Sequence, residues 1–95
     1  MARKYYRTML NKWELENLIH ISSKIIRIEM QNQEINNKLK TVFFCESEKE
    51  AKGRMCIVWE DRTTFEVGDF IEMQGRLANG VFLVKTFHFK RKEGN

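Results

Sequence analysis

The chain has 95 residues, of which 42% are hydrophobic and 32% are charged, and its formal net charge is +4. This length suffices for one compact domain with a single core but not for two, and it leaves little room for a deep cavity that excludes water. The N-terminus lacks the apolar stretch of a signal peptide and no window approaches the roughly 18 apolar residues of a membrane span, so we expect an intracellular domain, cytoplasmic or nuclear, without membrane attachment.

The first predicted element is a short helix over residues 11–19. Asn11 is a suitable N-cap, with Glu14 three positions later, as in a capping box. One helical stripe then collects the apolar residues Leu15, Leu18 and Ile19. We expect His20 to cap or follow this helix.

The next segment, residues 24–31, alternates between apolar and polar side chains. This period of two is typical of a half-buried strand. The alternation predicts that the core-facing residues are Ile26, Ile28 and Met30.

Two further strands are predicted around a charged loop. Residues 39–45 and 54–59 are rich in β-branched and aromatic side chains, and the acidic run between them ends at Gly53. Side chains alternate along a strand, so only one of Phe43 and Phe44 can face outward, and we expect it to be Phe44. The outward or inward position of Trp59 stays open at this point.

The strongest local signal is the Asn79-Gly80 pair between two alternating runs, residues 70–77 and 81–89. Both central residues of a type I′ hairpin turn need positive φ, which these two residue types tolerate. The turn predicts a core face that pairs Leu77 with Phe82, Gly75 with Val84, Met73 with Thr86 and Ile71 with His88. The opposite face would pair Arg76 with Leu83, Gln74 with Lys85, Glu72 with Phe87 and Phe70 with Phe89. Gly75 in mid-strand also indicates a bend or bulge.

Five short strands, with Gly68-Asp69 before the fourth and a tight hairpin after it, resemble the oligonucleotide/oligosaccharide-binding (OB) domains of the replication protein A family and of archaeal single-stranded-DNA-binding proteins. The resemblance covers about residues 13–89. It predicts an all-β fold, a five-stranded antiparallel OB barrel preceded by the short helix, with all 95 residues in one domain. Two features depart from the family: residues 60–67 are too short for much of a helix, and an acidic run stands before the third strand.

In such barrels the ligand lies across the second and third strands. The resemblance therefore implies a module for single-stranded nucleic acid, with DNA preferred to RNA. Aromatic side chains would stack the bases, and basic side chains would follow the phosphates. The candidate binding residues are Lys38, Lys40, Phe44, Arg54, Trp59, Arg76 and Lys85. The basic chain ends, residues 1–12 and 85–92, would add attraction to phosphates that does not depend on base sequence.

A second interpretation is a protein-interaction subunit of a larger replication, repair or telomere-type complex. The acidic middle of the chain favours it, because carboxylates near the barrel would repel phosphates. The candidate partner surface comprises Phe70, Leu83, Phe87 and Phe89.

Enzymatic chemistry has little support in the sequence. Cys45 and Cys56 are expected to be buried free thiols, and His20 and His88 lie far apart in the sequence without metal-ligand spacing. No phosphate-binding glycine motif occurs, so neither catalysis nor a cofactor is expected. The polar ends, residues 1–8 and 91–95, are expected to be mobile.

Overall fold

The computed structural model describes residues 18–90. They form five strands: β1 (Ile19–Ile35), β2 (Lys38–Cys45), β3 (Arg54–Trp59), β4 (Phe70–Ala78) and β5 (Val81–Phe89). The strands pair in the order β1-β2-β3-β5-β4 and close into a barrel. The prediction of an all-β fold with five strands is confirmed. No helix within residues 18–90 is long and apolar enough to cross a membrane.

One pair of strands corrects the antiparallel prediction. β3 runs parallel to β5, with Met55 beside Val81 and Ile57 beside Leu83. The other pairs are antiparallel. A closed circuit with an odd number of strands cannot alternate direction throughout, so closure of five strands requires at least one parallel pair.

The predicted helix is wrong where the structure describes it. Ile19 is the first residue of β1, and it pairs with Gly75 as His20 pairs with Gln74. These long-range strand pairings override the local helical stripe, since intrinsic propensity is a weak determinant. Residues 11–17 of the predicted helix, and the ends expected to be mobile, lie outside the described residues.

A bulge in β1 changes which isoleucines face the core. Ile25 is fully buried, whereas Ile26 is 36% exposed, so the inward prediction for Ile26 is wrong. The register with β2 shifts between Ile25 and Arg27. The extra residue reverses the alternation. Ile25 and Ile28 are three positions apart and would face opposite sides of a regular strand, but the bulge between them lets both pack against the core. The inward position predicted for Ile28 is therefore confirmed.

A second bulge, at Gly75, divides the β4–β5 hairpin. From the turn to Gly75 the pairs match the prediction, and they are Ala78 with Val81, Leu77 with Phe82, Arg76 with Leu83 and Gly75 with Val84. The bulge predicted at Gly75 is also confirmed, by a register shift between Gln74 and Gly75. Gly75 lies so close to the backbone of Leu83 that a Cβ would collide with its carbonyl oxygen.

Beyond this bulge the predicted faces are reversed on β5. Met73 lies opposite Phe87 and Ile71 opposite Phe89, instead of Thr86 and His88. The two phenylalanines therefore pack against the core, and Thr86 and His88 are exposed. Leu77 also departs from its predicted core position, because it lies near the end of β4 and is 44% exposed.

The connection between β3 and β4 closes the barrel without a helix. Its Phe65 is 1% exposed, and its ring centroid lies 5.0 Å from that of Phe43 and 5.2 Å from that of Phe87. The side chain of Gln31 holds the loop in place, since its Nε2 donates to the Phe65 carbonyl and its Oε1 accepts from the Phe65 N–H, at 2.9 and 2.8 Å. One aromatic side chain thus fills the space between β2 and the end of β5.

Cys45 and Cys56 are buried free thiols, as predicted. A hydrogen bond with the Cys45 thiol, followed by burial, raises the pKa of Cys56 far above the ordinary value of a thiol. Cys56 therefore stays protonated and behaves as a small apolar side chain of the core.

Candidate functional site

The antiparallel pair β2–β3 presents one continuous outer face. Its inward residues Phe43, Cys45, Cys56 and Val58 belong to the buried core. Residues directly opposite each other in an antiparallel pair share a face, so the alternate positions point outward together. We define the β2–β3 face by the residues of this outward parity: Lys40, Val42 and Phe44 of β2, with Met55, Ile57 and Trp59 of β3. Val42, at the middle of the face, is buried, with 6% of its surface exposed.

Phe44 lies on this face, and Phe43 lies in the core. Phe43 is fully buried, whereas Phe44 is half-buried, so the predicted choice between them is confirmed. Arg27 of β1 is the strand partner of Phe44, and its guanidinium carbon lies 4.0 Å from the centroid of the Phe44 ring. Arg27 also forms a 3.5 Å ion pair with Glu29.

Trp59 occupies the other end of the same face. It is 43% exposed, since Cys56 and Val58 supply the core side of β3. Its strand partner is Lys40, whose Nζ lies 5.0 Å from the centroid of the Trp59 ring. The β2–β3 face therefore carries two aromatic rings, each with a cation beside it.

Lys38 lies next to this end of the face. Its Nζ is 3.8 Å from Oε2 of Glu60, and both side chains are mostly exposed. Such an ion pair contributes little to stability, because solvent screens it. Lys38 is therefore available to an approaching anion at a small cost.

The structure separates the remaining candidate binding residues from this pair of aromatics. Arg54 has the inward parity of Cys56 and lines an open cleft at one end of the barrel, beside Ser23 and Glu46. Arg76 is opposite Leu83 on the outside of the β4–β5 hairpin. Lys85 occupies the extra position of the β5 register shift and is exposed. Through Leu83, Arg76 is in register with Ile57 of the β2–β3 face, whereas Arg54 and Lys85 are not among the residues that define that face.

The surface predicted for a protein partner is also divided. Phe70 is 48% exposed, and Leu83 is half-buried beside Ile57. Phe87 and Phe89 turn inward and pack against Phe65, with ring centroids at 5.2 and 5.6 Å. The four residues therefore do not form one exposed apolar face.

Arg27 was not recognised as a site residue from the sequence. The alternation in the first predicted strand places it outward, but its position beside Phe44 depends on two bulges in the β1–β2 register. No local pattern fixes the position of such bulges.

Within the described part of the chain no group of three or more histidine, cysteine, aspartate or glutamate side chains could hold a metal ion. Comparisons with protein-family models, with curated proteins and with solved structures found no match to this chain.

Proposed function

We propose that the chain is a non-enzymatic OB-type module that binds single-stranded nucleic acid, with DNA as the expected ligand, across the β2–β3 face. A small five-stranded barrel supports this proposal, because OB domains are five-stranded barrels that bind oligonucleotides across strands 2 and 3.

The observation that carries the proposal is the pairing of aromatic rings with cations on one face. Arg27 lies beside Phe44, and Lys40 lies beside Trp59. A stacked base contributes about 1–3 kcal/mol whatever its identity, and a neighbouring cation can contact the adjoining phosphate. Trp59 lies opposite Lys40, and Lys40 is four positions from Phe44 along β2. The two rings are therefore about 13 Å apart along the strand direction. Each ring would therefore stack a different base.

The charges around this face favour binding at the Trp59 end. The acidic loop, residues 46–50, connects β2 and β3 next to Phe44, at the opposite end from Trp59. The nearest acid at the Trp59 end is Glu60, which is already paired with Lys38. Repulsion of phosphates is therefore weakest near Lys40 and Trp59, and these residues should contribute most of the affinity.

A fluorescence titration tests the proposal. The chain contains two tryptophans, so a Trp13→Phe variant leaves Trp59 as the single reporter. A single-stranded oligothymidine of about 12 nucleotides should quench this emission at low salt. Trp59→Ala, followed with an end-labelled oligonucleotide, should weaken binding without unfolding the domain, since the side chain is 43% exposed.

A charge-reversal pair supplies the matched control. Lys38→Glu/Lys40→Glu should weaken binding, and the difference from the parent should shrink as salt is raised. Lys49→Glu/Lys52→Glu makes the same change in charge in the exposed loop beyond the Phe44 end of the face, far from Trp59, and should have a smaller effect. Equal affinities of the two double variants, or no quenching of the parent at low salt, would overturn the proposal.

The second candidate function is a protein-interaction subunit of a larger complex. The exposure of Val67 and Phe70, at 62% and 48%, favours it. Failure of the parent to bind either DNA or RNA at low salt would favour this function over the first.

A further inference from the structure

A second outer face lies around β4. The alternation that buries Ile71 and Met73 points Phe70, Glu72 and Gln74 outward. The flanking strands add further outward side chains, and we define the β4 face by Phe70, Glu72, Gln74, Lys24, His88 and Lys90.

The β4 face and the β2–β3 face lie on different sides of the barrel. β4 pairs only with β1 and β5, and it borders neither β2 nor β3. A ligand on one face would therefore leave the other accessible.

Phe70 is the centre of this second face. It is the first residue of β4 and is 48% exposed, a large fraction for a phenylalanine. Lys24 is its strand partner on β1, and the backbone N–H of Lys90 donates to the Phe70 carbonyl at 2.8 Å. A lysine thus lies on each side of an exposed aromatic ring.

The acid on this face is already engaged. Oε1 of Glu72 lies 2.9 Å from Nε2 of His88, and its Oε2 lies 3.6 Å from Nζ of Lys90. Lys24 has no such carboxylate among the residues that define the face.

We infer that the β4 face is a second site for single-stranded nucleic acid, with a base stacked on Phe70 and phosphates held by Lys24 and Lys90. Charge complementarity selects this ligand, because Lys24 and Lys90 outnumber Glu72, the one carboxylate among the residues that define the face. One molecule would then hold two strands at once. The inference takes its ligand class from the proposed function, but it concerns a separate surface.

Energy transfer between two strands tests this inference. Donor-labelled and acceptor-labelled oligothymidines of about 10 nucleotides should be brought together by the parent protein, at concentrations where sedimentation shows a monomer. Phe70→Ala/Lys24→Glu should lower the transfer about fivefold or more, because it removes a stacking ring and a cation. Quenching of Trp59 should stay unchanged in this variant. Val67→Ala/Lys49→Glu removes an exposed apolar side chain and a lysine outside both faces and should retain the transfer.

A variant of the first face separates the two proposals. Trp59→Ala/Lys40→Glu should retain residual binding in fluorescence anisotropy, and adding Phe70→Ala/Lys24→Glu should abolish it. If Trp59 is not quenched but binding depends on Phe70, the β2–β3 proposal fails and the β4 inference stands. Transfer that persists in Phe70→Ala/Lys24→Glu, or saturation at one strand per monomer that is lost in Trp59→Ala/Lys40→Glu, would overturn the β4 inference. Circular dichroism should show the same fold for every variant.

Discussion

Arg27 and Phe44 lie opposite each other on adjacent strands, with the guanidinium carbon 4.0 Å from the ring centroid. An arginine in this position is attracted by the ring face while it keeps its charge at the surface. Its partner Glu29 holds it only through an exposed ion pair, which costs little to break. The guanidinium that lies over the ring can therefore stack its own outer face on a base and contact a phosphate at one place.

Replacing Arg27 by glutamine should weaken the binding of oligothymidine and reduce its salt dependence. One lost phosphate contact lowers the slope of log K against log salt by about 0.7 for a single strand. Titrations at several salt concentrations measure this slope. Lys49→Gln, at an exposed position nearer the middle of the β2–β3 loop, is the control and should leave the slope nearly unchanged. An identical reduction in both variants would show that Arg27 acts only through net charge.

Phe65→Ala should destabilise the domain by about 3–5 kcal/mol, as deletion of a buried phenylalanine side chain does. Phe65 extends from a loop and contacts the rings of Phe43, Phe87 and Phe89, so its removal leaves a cavity among these rings. Urea unfolding measures the effect. Phe70→Ala removes the same atoms from an exposed position and should cost far less. Equal costs would mean that Phe65 does not seal the core.

Gly75→Ala should destabilise the hairpin by about 1–3 kcal/mol, because the new methyl group must displace the Leu83 backbone. The comparison is Gly80→Asn in the turn, where φ is +79° and no atom lies within 4 Å of a Cβ. Asparagine tolerates this left-handed conformation, so the second variant should stay close to the parent. Thermal unfolding of the two variants gives the contrast, and a more stable Gly75→Ala would contradict the close contact.

Alkaline pH should destabilise the protein through Cys56. Its pKa is raised in the folded state, so the stability that this thiol contributes is complete below the unfolded thiol pKa of about 8.5 and falls as pH rises above it. The slope for one thiol is about 1.4 kcal/mol per pH unit. Urea unfolding between pH 8 and pH 10 should show a shallower decline for Cys56→Ala than for the parent. Parallel curves would show that Cys56 ionises equally in both states.

The local signals of the chain predict several strands well. The bounds of β3 and β5 match their predicted segments, and the Asn79-Gly80 turn produces the expected pairing of Leu77 with Phe82. The bounds of the strands depend on the β-rich composition of each segment, and the turn depends on two residues that tolerate positive φ. Both are properties of a short stretch of sequence. Alternation also requires that only one of Phe43 and Phe44 faces outward, although it does not decide which of them does.

The faces of β1 and β5 could not be predicted, because bulges reverse the alternation within them. One shift near Ile26 and another at Gly75 turn Ile25, Phe87 and Phe89 inward. A glycine marks the second shift but does not reveal which strand gains the extra residue. The helix prediction is wrong at Ile19 for a different reason. Ile19 pairs with Gly75, which is distant in the sequence, and this pairing determines the strand conformation of Ile19.

The length of β1 has a consequence for folding. Its first residues pair with β4 and its later residues with β2, so one strand serves both sides of the barrel. During synthesis β2 and β3 can associate with β1 early, but Ile19 finds Gly75 only after most of the chain has been made. Contacts of such high sequence separation slow folding, and the waiting half of β1 is an exposed edge on which two unfinished chains can associate.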